Sequence, residues 1–420
     1  MFFGIELLYF VVMIMVFVIC MVVLKIHAGL SMMLAAIVGM IISGNGLPLR
    51  HLVEGTFGYL DTILVIIMAM VFMQGLEESG ALKYISNKIV EKLYKKPVLM
   101  LLSFMLVLMF PGMITGSSVA SVVSSGALLA PIMLKLGIPK VKVGAIIAFG
   151  AIFGMIAPPI NVPVMVICDI VDMPYIGFTL PLLLLSVPLA FFTVLFLGYK
   201  HVKHISLQDI DLAPVDGVKW TSLIPLIVLV VLILLQNFFP MVFGVLGLPL
   251  VFTISALLTL FFGKKFKPLY AAKAGVYKSF GAIALLMGVG MFIQTISLNG
   301  VRGYFVINAI SLPGNFLKIA SMVITLPLFG GVSAFGSASV LGGPFVMSLL
   351  ANNQIIVASS ISLMASLGEF LPPTAMSASL AAKTVDEKKY FNITKASLVP
   401  LGVTLAYSIL FLALISAIWK

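Results

Sequence analysis

Acidic charge is scarce in this sequence: 14 Asp and Glu among 420 residues, with charged residues of either sign making up only 9%. At 62% hydrophobic and a mean hydropathy of +1.23, the chain carries more apolar surface than a water-soluble core of this size buries, which excludes a soluble globular protein. Cysteine is nearly absent. Cys20 and Cys168 both lie in apolar runs and supply neither a disulfide framework nor a metal site. Histidine is as scarce: His27, His51, His201 and His204 sit at the ends of apolar runs or in adjoining loops, and there is no HExxH motif and no pair of carboxylates deep within an apolar run. That argues against an intramembrane enzyme and for a non-catalytic role. Short alternating strands are missing too, which excludes an outer-membrane barrel. The net charge of +11 comes from lysines clustered in loops between apolar runs, where they act as topology and lipid-headgroup anchors rather than as a nucleic-acid surface.

What the chain has instead is a series of apolar runs of about 20 residues, the length that crosses a bilayer as a helix. They recur from residues 5–25 to 396–418 and predict an all-α polytopic membrane protein of 11–12 transmembrane helices. The first, Phe10 to Leu24, has no basic segment before it and no cleavage signal, and reads as a span. In "GALKYISNKIVEKLYKK", residues 80–96, Leu82, Ile85, Ile89, Val90 and Leu93 fall on one helical face with lysines over the rest, which predicts a short interfacial amphipathic helix. The most polar stretch, residues 201–219, reads as a linker between a first half (1–200) and a second (220–420).

Two runs, 97–136 and 315–351, are too long for one span, and each contains a small-residue patch: "GMITGSSVASVVSSG" (112–126) and "GGVSAFGSASVLGGP" (330–344). A full span followed by a re-entrant hairpin is one reading, with hairpins at about 112–136 and 330–351; two ordinary short spans packed through small residues is the other. Downstream of each patch a further run is interrupted by adjacent prolines: Pro158-Pro159 within 142–168, and Pro372-Pro373 within 355–382. Proline lacks an N–H and disturbs the carbonyl four residues back, so these pairs free the carbonyls of Gly154 and Met155 and of Gly368 and Glu369. In lipid an unpaired carbonyl is costly; beside a water-filled cavity it is an oxygen ligand for a cation.

The two halves match in order. The Pro-Pro pairs stand 214 residues apart (372 − 158), Gly116 and Gly330 each precede their own Pro-Pro by 42 (158 − 116 and 372 − 330), and "VFMQGLEESG" (71–80) resembles "MFIQTISLNG" (291–300). Duplicated broken helices are the signature of a secondary transporter with its site near the bilayer midplane.

At "GSSVASVVSSGALLAPIMLKLGIPK" and "GAIFGMIAPPINVP" the chain resembles the large membrane (permease) subunit of TRAP transporters, the DctM family, within the ion-transporter superfamily of elevator symporters. Its second half departs from the usual pattern: the second hairpin contains no acid where the family carries Asp, and Glu369 stands where the second broken helix carries Gly. The resemblance implies an inverted two-fold repeat and Na⁺-coupled uptake of an organic acid, of the C4-dicarboxylate or sugar-acid type, across a prokaryotic inner membrane. It implies two partners outside this chain, a small membrane subunit and an extracytoplasmic solute-binding protein, and no cofactor besides Na⁺ as coupling ion. Carried over, one Na⁺ site would involve Gly116, Ser117 and Ser118 with the break near Gly154 and Asn161; the other would involve Ser337 and Ser339 with Gly368, Glu369 and Thr374. The rival readings are a binding-protein-independent symporter and a cation/proton antiporter of the same superfamily.

Overall fold

The computed structural model describes residues 4–202, 218–239, 242 and 246–415. Most of the expected polar linker, residues 203–217, lies outside the described residues. The described chain is helical, with no strand. Six helices are each long and apolar enough to cross a membrane: Ile5–Val22, Leu60–Glu78, Pro97–Thr115, Ser118–Lys135, Thr179–Gly198 and Pro268–Leu298. Among the described residues a pair bent by 56°, Tyr390–Ala396 with Leu398–Leu414, makes a seventh if the two count as one span. Other apolar runs fold as shorter helices of 10–17 residues, because prolines and small residues interrupt them before they reach full span length.

Each of the two over-long runs forms two helices, without a separate span ahead of its hairpin. Pro97–Thr115 is followed after a two-residue tip by Ser118–Lys135, and Gly314–Gly330 is followed by Ala334–Ser348. The turns are placed by local chemistry. Gly116 has φ +61°, a left-handed conformation that an L side chain resists, and Ser117 then caps the next helix through its hydroxyl. In the second run Ser333 accepts a hydrogen bond from Gly336 N at 3.1 Å and caps the returning helix. The rest of each Gly/Ser patch is helical. Glycine and serine there serve close packing rather than a turn.

Both Pro-Pro motifs break their helices. Lys140–Ile156 stops before Pro158 and resumes as Val162–Val171; Gln354–Leu367 passes through a short 3₁₀ turn, Gly368–Phe370, and resumes as Met376–Thr384. The expected amphipathic helix is present as Ala81–Leu93, introduced by Gly80 at φ +78° and buried on its Leu82 and Val90 side. Its positional counterpart, Val301–Ser311, is likewise introduced by a glycine at φ +78°, Gly300.

The helices pack into two bundles. In the first, the long helix Pro268–Leu298 lies against Ala28–Ile42, Leu49–Phe57 and Leu60–Glu78, with Ile5–Val22 and Gly247–Leu258 outside them. In the second, Pro97–Thr115, Thr179–Gly198 and Met376–Thr384 all pack on Lys140–Ile156, and Ala334–Ser348 packs on Gly314–Gly330, Val162–Val171 and Gln354–Leu367. Each bundle takes elements from both halves of the sequence. We call them the frame and the hairpin bundle.

Helix backbones approach closely inside the hairpin bundle. A Cβ on Gly154 would lie 2.3 Å from Met109 O, and one on Gly330 would lie 2.0 Å from Ala365 O. At such crossings glycine is the residue that lets each hairpin arm press against the helix carrying the break.

Candidate functional site

A cavity of about 370 Å³ lies between the two bundles. The hairpin bundle gives it both hairpin tips, with Ser117, Ser118 and Ser124 on one side and Val332, Ser333 and Phe335 on the other. The second break adds Glu369, Thr374 and Met376. The frame closes it with His27, Met70, Gln74, Glu77 and Lys278.

Three helices begin on this cavity. Ser118, Ala334 and Met376 are the first residues of their helices, and all three line the wall. Free N–H groups and the positive ends of helix dipoles at such termini favour an anion. Among them sits one acid. Glu369 is 7% exposed and accepts a hydrogen bond from Ser377 Oγ; Ser118 of the first hairpin lines the same cavity. No Lys, Arg or His side chain pairs with Glu369 among the described residues. A carboxyl buried with hydroxyl partners alone is accommodated in one of two ways, protonated or beside a cation. Also among the described residues, no group of three His, Cys, Asp or Glu is placed to hold a metal ion, so an ion here would rely on hydroxyls, carbonyls and this one carboxylate.

The frame wall carries its own charges. Lys278 Nζ and Glu77 Oε2 are 2.9 Å apart, both part-exposed toward the cavity, and join the two long frame helices. Gln74 donates to Glu78 Oε1 at 3.0 Å. His27 caps the helix that starts at Ala28, its Nδ1 accepting from Gly29 N at 3.2 Å.

Of the ten site residues expected from the sequence, Ser117, Ser118, Glu369 and Thr374 line the cavity. Gly116, Gly154, Asn161, Ser337, Ser339 and Gly368 do not. Asn161 is committed to structure: Nδ2 donates to Ile156 O at 2.8 Å, while Oδ1 accepts from Val164 N at 3.0 Å and from Ser362 Oγ at 2.8 Å. Its backbone N–H donates to Tyr175 OH, which in turn donates to Pro159 O, each at 3.1 Å. Ser337 donates to Leu326 O and Ser339 to Gly336 O, both at 2.8 Å, within the second hairpin. The carbonyls of Gly154 and Gly368 are not left bare. They accept from Ala157 N at 3.1 Å and from Leu371 N at 2.7 Å.

Ser333, His27, Glu77 and Lys278 escaped the sequence reading. A signal for Ser333 was present, since a Ser three residues ahead of Gly336 has the spacing of an N-cap. Pairing Gly116 with Gly330 hid it, because the structure pairs Ser117 with Ser333, 41 and 39 residues before their prolines (158 − 117 and 372 − 333). The frame residues had no local signal, since it is tertiary packing that turns them inward.

Among solved structures the chain is similar to that of the Alcanivorax borkumensis YdaH transporter, described as having an unusual topology, with TM-score 0.61, 16% identity and 88% of each chain covered. At that identity the likeness concerns the fold, that of a polytopic membrane transporter. Residues 6–418 match the family model of the tripartite ATP-independent periplasmic transporter, DctM component, and the chain belongs to that family. No curated protein matches it. The resemblance seen at the first hairpin and break is borne out, and the chain is a multi-pass membrane component of a TRAP transporter.

Proposed function

We propose that this chain is the transporting permease of a Na⁺-coupled TRAP system that takes up a small organic acid, of the C4-dicarboxylate or sugar-acid type, across a prokaryotic inner membrane. The observation that carries this reading is the convergence of three helix N-termini and a buried acid on one cavity between two bundles. The N-termini favour the substrate's carboxylate, and the Glu369 region favours Na⁺. The matched order of elements in the two halves, long helix, glycine, short helix, hairpin and broken helix, supports a two-fold repeat, which we read as inverted. Its division into frame and hairpin bundle supports an elevator, in which the hairpin bundle carries the site past the frame. Of the expected ligands, Glu369, Ser117, Ser118 and Thr374 face substrate and ion in this reading, Ser333 joins them, and Asn161 holds the first break in shape. A small membrane subunit and an extracytoplasmic binding protein deliver the substrate.

The test is uptake of a panel of labelled C4-dicarboxylates and sugar acids into proteoliposomes containing the chain, its small subunit and the loaded binding protein. Accumulation under an inward Na⁺ gradient, and none when choline replaces Na⁺ at fixed pH, is the expected result. Equal uptake in choline overturns the coupling. Glu369 also fits cation/proton antiport, and accumulation driven by a pH gradient without Na⁺ would favour that second reading.

A further inference from the structure

A second recess lies where the end of the frame helix Leu60–Glu78 and the amphipathic helix meet Pro97–Thr115 of the hairpin bundle. It is a crevice of about 160 Å³ lined by apolar side chains, among them Leu76, Leu82, Ile85, Leu106, Leu223 and Leu226. Three segments meet at its rim. Lys264 N donates to Ser79 O at 3.0 Å, and a Cβ on Gly263 would lie 2.9 Å from Ser79 Cβ and 3.3 Å from Ser222 Cβ. The start of the amphipathic helix, the loop after Gly247–Leu258 and the turn Trp220–Leu223 are therefore held together at one membrane face.

The charge gathered there is mainly positive. Lys219, Lys264, Lys265 and Lys267 are exposed, and Lys83 stands one turn along the amphipathic helix. No Asp or Glu occurs anywhere from Val218 to Lys267. Of the nearby acids, Glu77 pairs with Lys278 and Glu91 with Lys88, while Glu78 accepts a hydrogen bond from the neutral Gln74. Trp220 is 63% exposed next to Lys219, and Phe261 is exposed just before Lys264. Exposed Trp beside lysines marks headgroup depth in a bilayer. An apolar recess at acyl depth thus opens beneath a cationic rim at headgroup depth.

We propose that this crevice binds an anionic phospholipid, with the phosphate held by Lys219, Lys264 and Lys265 and an acyl chain seated against Leu82, Leu106 and Leu226. The rim alone would attract any phosphate, and the crevice alone would admit any acyl chain. A phospholipid satisfies both at once, and one with a net anionic headgroup does so best beside several lysines. Leu76 of the crevice and Gln74 and Glu77 of the transport cavity share the helix Leu60–Glu78, and Leu106 belongs to the outer arm of the first hairpin, so the bound lipid touches both bundles close to the site.

Native mass spectrometry of the detergent-purified full chain, equilibrated with equal amounts of dioleoyl phosphatidylglycerol and dioleoyl phosphatidylcholine, tests this. Phosphatidylglycerol should be retained several-fold over phosphatidylcholine, with no competition from inorganic phosphate. The triple variant Lys219→Gln, Lys264→Gln, Lys265→Gln should bring the ratio to near one. Lys388→Gln with Lys389→Gln, exposed lysines elsewhere, should leave it unchanged, and Leu226→Trp, which fills the crevice, should reduce retention of both lipids. Equal retention of the two lipids by the wild type, an unchanged ratio in the triple variant, unchanged retention in Leu226→Trp, or full displacement by phosphate would each overturn the proposal.

Discussion

The two broken helices carry the same Pro-Pro at corresponding points and have opposite characters. Three residues after the first proline stands Asn161, whose side chain closes the break through Ile156 O, Val164 N and Ser362 Oγ. Three residues after the corresponding Pro372 stands Ala375, at φ +40°, which has no side chain able to do this; that break is tied instead by Thr374, whose N–H and hydroxyl both donate to Gly331 O, at 3.1 and 2.9 Å. Three residues before the prolines the contrast reverses, with apolar Met155 in the first break and Glu369 in the second. The first break is sealed within protein and contributes nothing to the cavity lining, while the second opens onto it. Proline decides that backbone groups are freed, and the residues flanking it decide whether they become structure or site.

The largest effect should come where the two units are alike. Gly330→Ala would drive a Cβ into the Ala365 carbonyl, and Gly154→Ala one into the Met109 carbonyl, so overpacking should cost each variant about 3 kcal/mol. A fall of several degrees or more in the thermal midpoint of the detergent-purified protein is the expected readout; a wild-type midpoint in Gly330→Ala would mean that the second hairpin does not press on its broken helix.

The next comparison should separate the breaks. Asn161→Ala removes three buried hydrogen bonds and should cost about 2 kcal/mol, while Thr374→Val loses one hydroxyl bond and should cost about 1 kcal/mol. Transport should divide the other way, with Asn161→Ala losing activity in proportion to folded protein and Thr374→Val losing Na⁺ affinity at normal abundance. Reversed assignments would undo the contrast drawn above.

Much of this was legible in the sequence. The class, both helix breaks and the pairing of hairpin with break follow from proline chemistry and the length of apolar runs, and Gly80 and Gly300 announce their turns. The hairpin register was misjudged by matching glycines, since Gly330 serves a helix crossing while Ser333, as the N-cap, marks the tip. Asn161 reads as an ion ligand in one dimension because an Asn after Pro-Pro offers an oxygen; only the fold brings Ser362, 201 residues away (362 − 161), to claim it. The Glu77–Lys278 pair was equally hidden, because its partners sit in runs that look like plain spans.

The smallest effect concerns the far end of the first unit. His201 Nε2 lies 3.1 Å from Lys142 Nζ, and partial burial together with the charges of Lys142 and Lys200 holds its pKa below the ordinary histidine value. The folded state therefore binds fewer protons than the unfolded state between that lowered pKa and about 6.5. Stability should be complete above this window and decline as pH falls through it. His201→Gln should flatten that acid-side decline in a pH series of thermal midpoints; an unchanged slope would mean that Lys142 and His201 are uncoupled.

The central claim, that the ion is held on the second-break side of the cavity through Glu369, is tested most directly by Na⁺ protection of a cavity cysteine. Ser124→Cys, placed in the wall in a background with Cys20 and Cys168 replaced by serine, should react with a small aqueous thiol reagent several-fold more slowly in Na⁺ than in choline. Adding Glu369→Gln should abolish that difference, while adding Asn161→Ala should preserve it in the folded fraction. Equal labelling rates in Na⁺ and choline, or an undiminished Na⁺ effect in the Glu369→Gln protein, would contradict the account.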